Sequence, residues 1–148
     1  MNLLDKEVVD EETDSRTGID RCYFAIAHFI WERIYDFLMD CDPDGSAYEF
    51  NLMKLKFHIV LRELMKQIDS EIKGKFAELF NKRNKASYHL SDVLGYEELE
   101  DAIEIALYLE GQISNLEREL EDAFDNDIID FEWFRKLRSS FRRFPNNE

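Results

Sequence analysis

The chain has 148 residues and a formal net charge of −14, and 45% of its residues are hydrophobic. This length suits one ordinary domain with a sizeable core, so neither a disulfide framework nor a zinc framework is needed. Two cysteines without a CxxC pair agree with buried thiols. No run of about 18 apolar residues exists, so a membrane-spanning helix is not expected.

The charge is distributed unevenly along the chain. Residues 97–130 carry thirteen acidic side chains and one basic one, whereas residues 52–86 carry nine basic and four acidic ones. The net charge argues against attraction of nucleic acid over the whole surface, but a basic zone can still bind a polyanion locally. Residues 1–16 are acidic and lack periodicity, which predicts a flexible segment before a helical domain over 17–148. Without a leader-like apolar run, a cytoplasmic protein is expected.

Apolar periodicity predicts an all-α fold, a single bundle of about five helices. The first helix is expected from about residue 19 to 39 and should be nearly buried. After a turn at 42–45, Ser46 and Glu49 form a capping-box pattern that begins the second helix. Gly74 is expected to mark a break before a third helix, because glycine in a helix interior costs about 1 kcal/mol relative to alanine.

The second half begins with a polar stretch near Arg83 that is expected to leave the helix. A long helix is predicted from about 97 to 124 and a last helix from about 128 to 144. The long helix carries a heptad-like apolar seam: Leu99, Ala102, Ala106, Leu109, Ile113, Leu116, Leu120 and Ala123. This seam favours packing inside the bundle, while a contact between two subunits stays open.

The stretch with the strongest candidates for catalytic residues runs from Arg83 to His89 and reads R-N-K-A-S-Y-H. Arginine offers a fixed cationic fork that suits a phosphate, and histidine can exchange a proton near neutral pH. RNA supplies its own nucleophile, the ribose 2′-hydroxyl, so this pair can cleave RNA without a metal or another cofactor. A similar spacing joins Arg21 and His28, but these residues lie inside the first predicted helix.

This motif resembles that of the HEPN family of helical nucleases, in which an arginine and a polar residue precede a histidine. The helical layout is similar over about residues 19–124. The resemblance implies that Arg83 holds the phosphate, His89 transfers protons and Asn84 orients the site. Lys82, Lys85 and Tyr88 are the accompanying candidates for substrate binding.

The resemblance also implies a partner and a biological setting. HEPN domains usually form homodimers with a composite site across the interface, and the family includes toxins, antiviral nucleases and members that only bind RNA. A cognate antitoxin is therefore a conceivable protein partner. One subgroup has a tyrosine two residues after the histidine, where this chain has Ser91.

Ordinary structural roles explain the same residues equally simply. Arg83 can satisfy carbonyl groups at a helix end, Asn84 can be the C-cap, and His89 can be a loop side chain. His28 and His58 lie in apolar stretches, where a hydrogen-bonded, partly buried histidine is expected. The alternative function is a non-catalytic acidic protein-binding module, such as an inhibitor or antitoxin-like neutraliser of a basic enzyme.

A second pattern, Asp40, Asp42 and Asp44 before Gly45, resembles the start of an EF-hand loop. The twelfth position of that loop is Asn51 in place of a bidentate glutamate. An acidic turn between helices explains the pattern as well. The sequence therefore predicts no cofactor, with a calcium-responsive helical protein as a minor alternative.

Overall fold

The computed structural model describes residues 3–41, 57–68, 70–89 and 93–143. Within these ranges the chain forms six helices and no strand: α1 (Leu3–Cys41), α2 (Phe57–Met65), α3 (Glu71–Tyr88), α4 (Tyr96–Gly111), α5 (Ile113–Asp125) and α6 (Phe131–Arg143). The predicted all-α bundle of about five helices is confirmed. No helix in these ranges combines the length and apolar character needed to cross a membrane.

Helix α1 is the central element of the bundle, since α2, α3, α4 and α5 all contact it. Its buried side chains recur at helical spacing: Ile19, Tyr23, Ile26, Ile30, Ile34 and Leu38. The surrounding helices contribute facing apolar residues such as Leu64, Phe76 and Leu109. Removal of this apolar surface from water is the main force that holds the helices together.

Helix α1 begins at Leu3, whereas apolar periodicity predicted a start near residue 19. Ser15 is fully buried, and Arg16 donates hydrogen bonds to the end of α3. The expected boundary at residue 16 therefore falls inside this helix. The contacts of Ser15 and Arg16 are tertiary, and apolar periodicity does not register them.

Three further boundaries differ from the prediction. Gly74 lies inside α3, which begins at Glu71, whereas α2 ends at Met65. Arg83 does not end a helix, because α3 continues to Tyr88. The predicted long helix is interrupted at Gln112, so α4 and α5 are separate helices.

The heptad-like seam packs inside the chain. Most of its residues are buried, and the remaining two, Leu99 and Ala106, pack partly buried against the core. The seam is therefore an intramolecular contact. The turn at 42–45 and the capping box of Ser46 and Glu49 lie outside the described residues.

Candidate functional site

A groove with a volume of about 390 Å³ lies where α1, α2 and α3 meet, and we name it the α1–α3 groove. It forms because residues three or four apart on a helix share one face. Helix α2 presents His58 and Arg62 at this spacing. The residues that line the α1–α3 groove are Phe24, His58, Ile59, Arg62, Phe80, Arg83, Asn84 and Tyr88.

Both guanidinium groups of the groove lie against aromatic rings. The Cζ atom of Arg62 is 3.6 Å from the ring centre of Phe80. The Cζ atom of Arg83 is 5.1 Å from the ring centre of Phe24 and 5.4 Å from that of Tyr88. A guanidinium group held near an aromatic ring keeps its N–H donors, which can still donate to an anion.

Polar contacts fix the orientation of Arg83. Its Nε donates to Oδ1 of Asp20 at 3.2 Å, and the Ser87 hydroxyl donates to the same oxygen at 3.3 Å. A terminal nitrogen of Arg83 donates to Oδ1 of Asn84 at 3.4 Å. The carboxylate of Asp20 offsets part of the arginine charge, but it also holds the guanidinium in one place before any ligand arrives.

A buried histidine, His58, belongs to the same groove. Its side chain is hydrogen-bonded, with Nδ1 3.0 Å from the Tyr23 hydroxyl oxygen, and the residue is 8% exposed. Burial, together with the charges of Arg83 and Arg62, lowers the pKa of His58 from 6.5 to about 4. Burial likewise raises the pKa of Tyr23, against the opposing effect of the two arginines. Both groups are therefore neutral near pH 7.

The sequence predicted a hydrogen-bonded, partly buried His58 but did not connect it to a site. The available signal was its spacing of four residues from Arg62 within an apolar stretch. That spacing puts a titratable group and a cation on one helix face. Only the packing of α1 and α3 against that face brings Tyr23 and Arg83 to it.

The structure brings Arg83, Asn84 and Tyr88 to the groove, but His89 does not line it. His89 is exposed and directly follows α3, and its backbone N–H donates to the Lys85 carbonyl at 3.1 Å. Six residues along a helix correspond to about 9 Å of rise and about 120° of rotation. Arg83 and His89 therefore leave this segment in different directions.

The two lysines predicted to accompany the motif also lie outside the groove lining. Lys82 faces α4, where its Nζ is 2.9 Å from Glu98 Oε2 and 3.8 Å from Asp101 Oδ2. Its side chain is 15% exposed, so this pair joins two helices. Lys85 is exposed.

Helix α1 contacts both the end of α3 and the start of α4. Arg16 donates to three carbonyl groups at the end of α3, at 3.0 to 3.2 Å, and pairs with Glu12. The Glu11 carboxylate accepts a hydrogen bond from the backbone N–H of Tyr96 at the start of α4, at 3.1 Å. A cation at a helix C-terminus and an anion at a helix N-terminus both complement the helix dipole.

The acidic turn considered for calcium is only partly visible. Asp40 is exposed in the last turn of α1, while Asp42 and Asp44 lie outside the described residues. In the part of the chain that is described, no group of three His, Cys, Asp or Glu side chains is placed to hold a metal ion.

A second concave surface, the α1–α4 cleft, has a volume of about 230 Å³ and a mostly apolar lining. Ile103 is 41% exposed and Leu107 is 62% exposed at its rim. The lining residues are Cys22, Ala25, Ile26, Phe29, Ile103, Ala106, Leu107 and Glu110.

An assignment of function rests on the helical arrangement and on these two surfaces. Comparison of the chain with protein-family models, with curated proteins and with solved structures gives no match.

Proposed function

We propose that the protein binds single-stranded RNA in the α1–α3 groove and cleaves it as a HEPN-type, metal-independent endoribonuclease. In the weaker form of this proposal, the protein is a HEPN-derived module that binds RNA in the same groove without cleaving it. The observation that carries it is the groove itself, which joins the guanidinium groups of Arg62 and Arg83 to three aromatic rings.

This combination suits the two repeating parts of a nucleic acid strand. Guanidinium groups bind phosphate oxygens with several N–H donors in a fixed plane. Aromatic side chains stack on bases and contribute about 1 to 3 kcal/mol for each base that is not already paired. The two arginines provide a local cationic site on an otherwise acidic chain, which favours specific binding over general attraction.

Three residues of the motif, Arg83, Asn84 and His89, each have one role in the cleavage step. His89 takes the proton of the 2′-hydroxyl, whose oxygen attacks the adjacent phosphorus while the bond to the 5′-oxygen breaks. The leaving 5′-oxygen receives a proton from solvent water. Arg83 stabilises the charge that develops on the phosphate, and Asn84 orients the guanidinium. The products are a 2′,3′-cyclic phosphate and a 5′-hydroxyl.

Because Arg83 and His89 leave α3 in different directions, we propose that the cleaving form is a homodimer. In this form His89 of one copy completes the site of the other. Sedimentation velocity tests this part. A dimer at micromolar concentration is expected, and a strictly monomeric protein that still cleaves RNA contradicts it.

The direct test of the proposal is incubation of a mixed RNA pool with purified protein in EDTA. Wild type and Arg118→Ala, a matched control at an exposed arginine of α5, are expected to cleave and to leave cyclic phosphate ends. Arg83→Ala and His89→Ala are expected to lose cleavage. Equal cleavage by all four proteins, or cleavage that EDTA abolishes, contradicts the proposed chemistry.

A second candidate function, binding of a basic protein partner, is favoured by the α1–α4 cleft. Its exposed apolar rim at Ile103 and Leu107 lies on α4, which carries many carboxylates. An inhibitor or antitoxin-like protein would use such a surface to cover a cationic active site. The test is inhibition of a panel of basic ribonucleases by wild type and by the double variant Ile103→Ser, Leu107→Ser. Inhibition by wild type alone supports this function, and no inhibition by either protein argues against it.

A further inference from the structure

The hydrogen bond between Tyr23 and His58 bears on which ring nitrogen of the imidazole carries its proton. Tyr23 is fully buried, and a buried phenol hydroxyl needs an acceptor for its proton. Among the described residues, the polar side-chain atom bonded to this hydroxyl is Nδ1 of His58, at 3.0 Å. Donation from Tyr23 to Nδ1 of His58 meets this need. A neutral imidazole that accepts at Nδ1 carries its hydrogen on Nε2.

Asn84 also presents a donor to the groove. Its Oδ1 accepts a hydrogen bond from Arg83, so its amide nitrogen is the group that can donate elsewhere. Arg62 and Arg83 have only donors to offer. Four polar side chains that line the groove, from α2 and α3, thus present N–H groups. Such a lining matches a ligand rich in acceptors and mismatches a cation.

We propose that the α1–α3 groove is a phosphate-binding pocket in which neutral His58 donates through Nε2–H to a phosphate oxygen, beside Arg62 and Arg83. Tyr23 is the positioning residue that holds the imidazole in this donor form. This inference rests on the proposed RNA binding and adds His58 and Arg62 to its binding residues. It gives the buried histidine a role distinct from the proton transfer assigned to His89.

The surroundings of His58 favour a neutral donor over a charged imidazolium at this place. Arg62 on α2 and Arg83 on α3 already supply positive charge, while Asp20 on α1 is engaged by Arg83. A third cation in this partly buried site would be repelled by both arginines and poorly solvated. A neutral N–H adds a directed hydrogen bond without that cost.

The test compares two substitutions of His58 in the whole chain. His58→Gln keeps an N–H donor at a similar reach, whereas His58→Leu fills similar space without a donor. Binding of a short fluorescent single-stranded RNA is measured by anisotropy, with cooperative unfolding as a check of folding. His58→Leu is expected to bind about tenfold more weakly, as for loss of a hydrogen bond to a charged group, and His58→Gln close to wild type.

Wild-type protein provides a second readout that does not depend on a buried substitution. Proton–nitrogen NMR spectra of the imidazole nitrogens are expected to show the Nε2–H form of His58, with a change at Nε2 when inorganic phosphate is added. The variant Tyr23→Phe is expected to mix the two tautomers. An Nδ1–H form in wild type, or an Nε2 signal that phosphate does not move, overturns the inference.

The two proposals fail in different ways. If wild type and His58→Leu bind RNA equally well, the role of His58 is wrong while RNA binding stands. If wild type binds no RNA but phosphate shifts the Nε2 signal, the pocket stands and the proposed function fails.

Discussion

Acid should destabilise this protein through His58 in a way that a single substitution can isolate. The pKa of this histidine is about 4 in the folded chain, against 6.5 ordinarily. As the pH falls below 6.5, the unfolded chain takes up a proton that the folded chain does not. Protonation therefore stabilises the unfolded state, and the free energy of unfolding falls. This contribution of His58 is fully lost below about pH 4. The full effect is about 3 kcal/mol, of which about 2 kcal/mol falls between pH 7 and pH 5.

The assay is urea unfolding of wild type and His58→Leu, followed by circular dichroism at several pH values. Carboxylates also titrate on acidification, but they are common to both proteins, so the difference between the two curves reports the histidine. Wild type should lose about 2 kcal/mol more than His58→Leu between pH 7 and pH 5. Parallel curves for the two proteins would refute the assignment of a neutral, buried His58.

Three further predictions concern stability and use the same urea assay. Arg16→Ala should lower the free energy of unfolding by about 1 to 3 kcal/mol, because the arginine satisfies three carbonyl groups at the end of α3. Arg21→Ala, exposed on the same helix, should change it by less than about 0.5 kcal/mol, and equal effects would contradict the capping role. Gly74→Ala should raise it by about 0.5 to 1 kcal/mol, because an added Cβ meets no atom within 4 Å beyond the chain neighbours and the backbone of its own helix. A loss would show that α3 needs glycine there. Leu109→Ala should lower the free energy of unfolding by about 2 to 5 kcal/mol, because Leu109 is buried. Leu107→Ala should change it almost not at all, because Leu107 is exposed. Similar losses for the two variants would contradict this orientation of α4.

For the motif at 83–89, the local sequence pattern predicts the chemistry of the side chains but not their geometry. Its residue types predict phosphate and proton chemistry without any coordinates, because guanidinium and imidazole have those properties in any fold. The expected geometry assumed that the helix ends at Arg83. In the structure Arg16 caps α3 further on, so Arg83 and Asn84 face the groove, while His89 does not line it. The cap comes from a residue 69 positions earlier, which no local pattern reveals.

The sequence by itself determined the helical class and much of the core, because the spacing of apolar residues is a local property that follows helical geometry. The apolar spacing also favoured packing of the seam on α4 and α5 inside the bundle. Tertiary structure alone decided that Arg16 of α1 meets the end of α3 and that His58 shares a groove with Arg83. These features depend on contacts between residues far apart in the chain. Their energies come from burial and charge that exist only once the helices have packed.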